Sequence, residues 1–341
     1  MLPPVPLVEA GALDRERALA VREACLGWLP CGGLLARLGD PIVRWWMRRS
    51  GSPYAGEIEA NAKALKRPGI WLLHGAYLFG CTALADETAA GPCLRRTLGW
   101  PFPGLGRLVQ VVRQRGSAGD YLNVTWPGFV GVLTAVAPGR FAASINQAPM
   151  KRRAVPLWLD YVLNAVLALR VTALPPEHVL RQAFETCSTF EQAQRLLETA
   201  PVARPVLFLL VGCAPGERVI IEKDAEGART YRDDTVLAND WQEPRPGWRP
   251  RCCGEGTPDE NNRRRRAALA GWAGCETADF GWASGDVLNG CTRLTVEMCP
   301  AAGTLVVAGW EATAGRAAPV TAFTRFGAET TVTRCGEASS S

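Results

Sequence analysis

The stretch FGCTALADETAAGPCLRRTLGWPF, residues 79–102, decides how this chain is read. A small residue, Gly80, precedes Cys81 and Thr82. A short strand-like run follows, then turn residues at 88–92, then a second run at 93–98. Strand, turn and strand is the simplest reading. Upstream, Ile70 to Leu78 is apolar. Downstream, β-branched residues and Gly/Pro punctuation predict strands at 108–113, 130–136 and 141–145.

Working outward, residues 157–199 return to helical patterns. The run 157–170 is almost continuously apolar and predicts a buried helix, while Ser188-Thr189-Phe190-Glu191 is a capping box that starts another. Strands are expected at 206–211, 219–222, 230–232 and 236–239, a helix at 262–272, and strands at 293–298, 304–308 and 320–324. The N-terminal part is helical, with periodic stretches at 14–28 and 57–66, the second stopped by Pro68-Gly69. Blocks of strands, helices, strands, helix and strands fit an α+β fold of two packed antiparallel sheets with helices outside, not a βαβ alternation.

With 341 residues the chain can bury a large core, and 48% hydrophobic with 21% charged residues is ordinary globular composition. The net charge of +5 is too mild to demand a nucleic-acid partner. The arginine run 263–266 reads as a solvated helix start, because four consecutive helical residues point in different directions. The sequence PIVRWWMRRSGSP, 41–53, reads as an amphipathic helix packed on the core, with lipid contact around Trp45 and Trp46 as the alternative. The N-terminus lacks a basic start and apolar core, and no apolar run is long enough to span a bilayer, so a cytoplasmic location is expected.

The chain has twelve cysteines and two histidines, His74 and His178. Two histidines exclude a three-histidine metal site. No CxxC pair occurs, so a zinc ribbon is not expected, and Cys252-Cys253 reads as two incidental thiols. His74 reads as a core residue and His178, after Pro175-Pro176-Glu177, as a surface residue. A histidine-based triad would have to recruit one of these two.

The segment around Cys81 resembles the N-terminal-nucleophile hydrolases of the linear-amide class, which include acid ceramidase, N-acylethanolamine acid amidase and the penicillin acyltransferase peptidase family. Further motifs fall in the same order: residues 125–149 ending in SINQAP, VLANDWQ at 236–242 and NNRRRRAAL at 261–269. The resemblance runs from about residue 57 to 310. It implies a four-layer αββα sandwich, with residues 1–80 as an N-terminal helical segment (a candidate propeptide or smaller subunit) and 81–341 as the hydrolase domain. It also implies autocleavage between Gly80 and Cys81, leaving two fragments that stay associated. The new α-amine of Cys81 would then serve as base. An α-amine has a pKa of roughly 7.7–8.0 against about 8.5 for a free thiol, so it can take the thiol proton near neutral pH. No cofactor or metal is implied; the partner is a small-molecule acyl amide.

The same resemblance implies roles for four further residues. Arg96 would sit beside the nucleophile. Asn239 would donate to the oxyanion, with Asn146 beside it. Arg264, or Arg263, would orient the site. Trp100, Phe102, Trp126 and Phe129 are candidates to line an apolar pocket. One position departs from the pattern: where the family has an aspartate that contacts the α-amine, this chain has Gly99. Two other readings stay open: a non-catalytic protein that kept the fold, and a thiol redox or metal-binding protein.

Overall fold

A computed structural model describes residues 1–75, 80–153, 155–250, 256–272 and 280–327. The Cys252-Cys253 pair lies outside them. In chain order the N-terminal segment contains β1 (Leu7–Glu9), α1 (Arg15–Gly27), α2 (Gly32–Arg49), α3 (Ala55–Leu65) and α4 (Ile70–Gly75). Then come β2 (Gly80–Thr88), β3 (Gly91–Gly99), β4 (Gln110–Gly116), β5 (Gly119–Thr125), β6 (Thr134–Ala137), β7 (Phe141–Gln147) and the short β8 (Met150–Lys151). Three helices follow, α5 (Leu157–Arg170), α6 (Pro176–Thr186) and α7 (Phe190–Thr199). Next are β9 (Val206–Val211), β10 (Arg218–Asp224), β11 (Gly227–Tyr231), β12 (Val236–Leu237), β13 (Trp248–Arg249) and α8 (Pro258–Ala270). The last strands are β14 (Thr292–Cys299), β15 (Thr304–Thr313), β16 (Arg316–Pro319) and β17 (Thr324–Phe326).

Among the described residues, one sheet has the order β1-β4-β5-β6-β7-β9-β10-β11 and the second the order β12-β2-β3-β14-β15-β16, with β17 also on β15. Every pairing is antiparallel except β1 with β4, which is parallel. β2 and β3 pack against β7 and β9, so the two sheets lie face to face. α6 and α7 cover the outer face of the first sheet and α8 covers part of the second. The expected αββα layering is the observed one. The core lies between the sheets, in side chains such as Leu94, Leu98, Ile145, Phe208, Leu210 and Val296. Alternation explains why: on β3, Leu94, Arg96 and Leu98 share the inner face, while Cys93, Arg95 and Thr97 point outward.

Three sequence readings need correction. The helix α5 forms where expected, but it is not buried: Trp158 is 68% exposed, Val162 50% and Leu167 44%. A helix that is apolar all round needs an apolar neighbour on every side, and α5 lacks one over much of its surface, with Val162 and Leu167 bordering an open cleft. On α2 the amphipathic reading holds: Val43, Trp46 and Met47 are buried and Arg48 and Arg49 exposed, while Trp45 is 55% exposed, because consecutive helical residues diverge by about 100°. The outward face of α2 also carries Leu34, Leu38 and Ile42. β5 and β1 fall outside the expected strands. The edge strand β1 is held by its pairing, Leu7 with Val111 through Glu9 with Arg113.

The third correction concerns His178, which is fully buried rather than exposed. Both histidines close on one residue, Val130. The Val130 N–H donates to His74 Nε2 at 2.8 Å, and His178 Nε2 donates to the Val130 carbonyl at 3.3 Å. The other ring nitrogens are also taken: His74 Nδ1 bonds the Ile70 carbonyl at 2.7 Å and His178 Nδ1 accepts from Ser52 at 2.8 Å. This network assigns one proton to each ring. The histidines thus tie α4 and α6 to the loop before β6. As expected, His74 is a core residue.

Burial pushes His74 down to about 4, and burial with the neighbouring His74 pushes His178 down to about 3. Unfolded histidine titrates near 6.5. The stabilisation from both neutral rings is therefore complete above about pH 6.5 and is lost as pH falls through the window down to about 4. For His74 the loss is on the order of 3 kcal/mol. The melting temperature is expected to fall as pH is lowered from about 7.5 to 4.5, more steeply than in a His74→Gln variant; equal slopes in the two proteins would contradict the assignment.

Candidate active site

Cys81 is the second residue of β2 and is fully buried between the sheets. Three of its atoms are each held by a different buried side chain. Its backbone N–H donates to Asn239 Oδ1 at 2.8 Å. Its Sγ lies 3.1 Å from Arg96 Nη2. Its carbonyl accepts from Arg265 Nη1 at 2.5 Å.

Each holder is placed by sheet register or helix phase. Arg96 sits on β3 opposite Ala83 and points inward with Leu94 and Leu98. Its guanidinium also donates to the Leu133 and Ile145 carbonyls and to Thr134 Oγ1, anchoring it to β6 and β7. Asn239 follows β12, whose residues Val236 and Leu237 pair with Leu84 and Ala83 of β2. Its Nδ2 donates to the Gln147 carbonyl at 3.0 Å. Asn146, at the end of β7, donates from Nδ2 to the Ala238 carbonyl at 2.8 Å and the Leu237 carbonyl at 3.3 Å. The Asn146 side chain therefore fixes the backbone that carries Asn239. The two asparagines are brought together as expected, at the junction of β7 and β12.

The arginine of the third motif differs from the expectation. Arg264 is half exposed on α8, 3.8 Å from Asp286, and Arg263 is exposed. Arg265 is buried and enters the site. Helix phase is the reason: Asn261, Arg265 and Leu269 recur every four residues on the inner face, while Arg264 is turned about 100° away. That signal was present in the sequence, since Leu269 marks the buried stripe. Thr257 and Glu260 form a capping box and Pro258 occupies the first turn, which sets where α8 starts and hence its phase. Arg265 donates further to Thr82 Oγ1, to Asn239 Oδ1 at 3.3 Å, to Asn262 Oδ1 and, through Nε, to Asn261 Oδ1 at 2.7 Å. Asn261 and Asn262, quoted in the motif but given no role, are the residues that orient it.

Gly99 faces Gly80 across the β2–β3 ladder. A Cβ at position 99 would stand 2.5 Å from the Gly80 carbonyl oxygen and 3.4 Å from that of Cys291. In this uncut chain no side chain fits there without displacing the bond before Cys81. The Cys81 nitrogen has the Asn239 amide oxygen as its acceptor instead of a carboxylate.

Trp100, Phe102 and Trp126 are core. Trp100 and Trp126 meet edge to face at 5.1 Å, and with the half-buried Phe129 they border a void of only about 30 Å³. A larger cleft, about 540 Å³, lies elsewhere: beneath α5, lined by Ala148, Pro149, Met150, Val162, Leu167 and Ala203 among others. Its wall begins at Ala148, next to the Gln147 whose carbonyl receives Asn239. Among the described residues, no group of three or more potential ligands could hold a metal ion.

No protein-family model matches the chain. Among curated proteins it is 25% identical over 255 residues to the N-acylethanolamine-hydrolyzing acid amidase of Oryctolagus cuniculus, covering 68% of this chain and 67% of that protein. It is 27% identical over 111 residues to the acid ceramidase of Pan troglodytes, covering 33% of this chain and 27% of that protein. The chain thus spans about two thirds of the first relative and about a quarter of the second. Among solved structures, a Caenorhabditis elegans N-acylethanolamine-hydrolyzing acid amidase ortholog is similar with a TM-score of 0.49 at 18% identity, covering 65% of this chain and 93% of that one.

Arg265→Ala is expected to cost roughly 2–4 kcal/mol in urea denaturation, since it strips a charged donor from several buried oxygens. Arg264→Ala should stay within about 0.5 kcal/mol of the parent. The reverse order would mean that α8 is phased differently.

Proposed function

From a chain related in sequence to the N-acylethanolamine acid amidases and acid ceramidases, N-terminal-nucleophile hydrolases of linear amides, we propose an amide hydrolase that is made as a precursor and cut before Cys81. The observation that carries the reading is the three-sided hold on Cys81 by Asn239, Arg96 and Arg265. Two guanidiniums buried beside a thiol and a carbonyl are costly to keep out of water. They become favourable when negative charge forms, on sulfur or on an oxyanion.

In the first step the Cys81 sulfur attacks the Gly80 carbonyl carbon, the Gly80–Cys81 C–N bond breaks, and its nitrogen takes a proton to become the free amine. Water then cleaves the resulting thioester and releases the Gly80 carboxylate. In turnover the amine takes the thiol proton, the sulfur attacks the amide carbonyl of the substrate, and the amine returns the proton to the leaving nitrogen. Arg96 holds the thiolate. Asn239 Oδ1 keeps the amine oriented, and Asn239 Nδ2, which donates to the Gln147 carbonyl in the uncut chain, is assigned to the developing oxyanion. Water or a second amine takes the acyl group, so hydrolysis and acyl transfer share the thioester. The two fragments stay together, because β1 pairs with β4 and the helices α1 to α4 share a core with Val130 and Ala203.

The substrate is an acyl amide whose chain enters the apolar cleft under α5. Lipid contact belongs to this reading. The C-terminal ends of α2 and α5 meet, since Arg49 at the end of α2 donates to the Leu169 and Arg170 carbonyls at 3.3 and 3.1 Å. Arginines 37, 48 and 49 surround the α2 face. Such a face suits an anionic bilayer that presents amphiphilic substrates. Among the described residues no single helix is long and apolar enough to cross a membrane.

Intact-mass measurement is expected to find two fragments, the larger beginning at Cys81, and a single chain for Cys81→Ala. A wild-type chain that stays whole on long incubation overturns the proposal in favour of a non-catalytic relative. Asn239→Ala should slow acyl release on the order of 10²–10³-fold. Gly99→Asp should retard the cut itself, because its Cβ collides with the Gly80 carbonyl. For the lipid surface, co-sedimentation with anionic vesicles should be lost when Trp45 and Trp158 are both replaced by Ser, with fragment formation unchanged.

A further inference from the structure

A second thiol site lies at the far end of the β3–β14 pair, away from Cys81. The register runs Val296 with Arg96, Glu297 with Arg95 and Met298 with Leu94. One step further, Cys93 stands opposite Cys299, on the outer face of the sheet. Facing residues of antiparallel strands have Cα atoms about 4.5–5.5 Å apart, within the 4.4–6.8 Å span of disulfides. This register turns one thiol toward the other, and both are free.

Their surroundings are unequal. The Cys299 sulfur stands 3.7 Å from the Ala90 carbonyl and near the backbone N–H groups of Ala301 and Ala302 in the turn after β14, and Arg95 adds positive charge. The Cys93 sulfur has Thr88 Oγ1 at 3.6 Å. Contact with Cys93, helped by those backbone amides, pulls the Cys299 thiol down, while the same contact and burial push Cys93 up. One sulfur is thus ready as thiolate and the other keeps the proton that a resolving step needs. Cys299 and Cys93 are 6% and 9% exposed beneath the 88–91 turn, near enough to the surface for a small oxidant. The turn itself is tight: Gly91 has φ +112° and packs against Ala301 and the Cys213 carbonyl.

We propose that Cys299 and Cys93 form a peroxide-reactive pair, in which Cys299 reacts first and Cys93 resolves it to an inter-strand disulfide. The Cys299 thiolate takes the terminal oxygen of hydrogen peroxide, the O–O bond breaks, and hydroxide leaves. The Cys93 sulfur then attacks the sulfenic sulfur, the S–O bond breaks, and water leaves with the Cys93 proton. The product joins the ends of β3 and β14, three residues from Arg96.

The test uses the full chain carrying Cys81→Ala, which removes the competing nucleophile. After mild peroxide at neutral pH, intact mass should drop by two hydrogens and peptide mapping should recover Cys93 linked to Cys299. With Cys93→Ser added, dimedone should trap Cys299; with Cys299→Ser added, neither product should form. Because a variant can fail to fold, the Cys81→Ala chain is also alkylated with limiting iodoacetamide. Cys299 should be labelled on the order of tenfold ahead of Cys93. Unchanged mass under peroxide, a disulfide to Cys213, or faster labelling of Cys93 each overturns the proposal.

Discussion

The fold is organised around two positive charges that have been taken out of water. Arg96 and Arg265 are both buried and reach Cys81 from opposite sheet-and-helix layers. Neither could be stranded there without donors and acceptors arranged around it, so the local structure reads as a cage. Ends of β6 and β7 supply carbonyls to Arg96, and the Asn261, Asn262 and Asn239 side chains supply oxygens to Arg265. Short strands such as β12, only two residues long, make sense in that light. β12 pairs just long enough to set the register that brings Asn239 to the Cys81 nitrogen.

Much of this architecture was legible in the sequence, and the parts that were not have physical reasons. The strand–turn–strand at 80–99, the buried run at 206–211 and the start of α7 announce themselves through alternation, composition and local hydrogen bonding, although the cap of α7 is Thr189, which accepts from the Gln192 N–H, and not the expected box of Ser188 with Glu191. Cys81, Arg96, Asn146 and Asn239 were legible only as residues within ordered motifs, because their meeting depends on sheet register between segments up to 158 residues apart. Arg265 was misassigned to its neighbour because four consecutive arginines look alike, although the four-residue spacing to Leu269 gives the phase. His178 was misread for the opposite reason: its helix start looks polar locally, while its burial comes from Ser52, Tyr54 and Val130, which are distant in sequence. For α5, apolar composition signalled a helix but not what surrounds it.

The histidine shortage has a different meaning once the rings are located. Both histidines are held neutral as struts on Val130, so neither is available to a sulfur at the centre of the sandwich. Gly99 shows the same economy on the backbone side. A carboxylate at that position and a closed Gly80 carbonyl compete for one small volume, and this chain keeps the carbonyl.

The parallel pairing of β1 with β4 has a consequence for how the protein ages. While the chain is continuous, residues 1–80 are tethered beside their partners, and folding is a unimolecular event. The proposed cut before Cys81 would remove that tether from the unfolded state. Reassembly from two separated pieces then depends on their concentration, with the loss of translational freedom added to the barrier. The cut protein would hold its shape by the slowness of unfolding, not by ready return, and a molecule once unfolded would rarely be recovered.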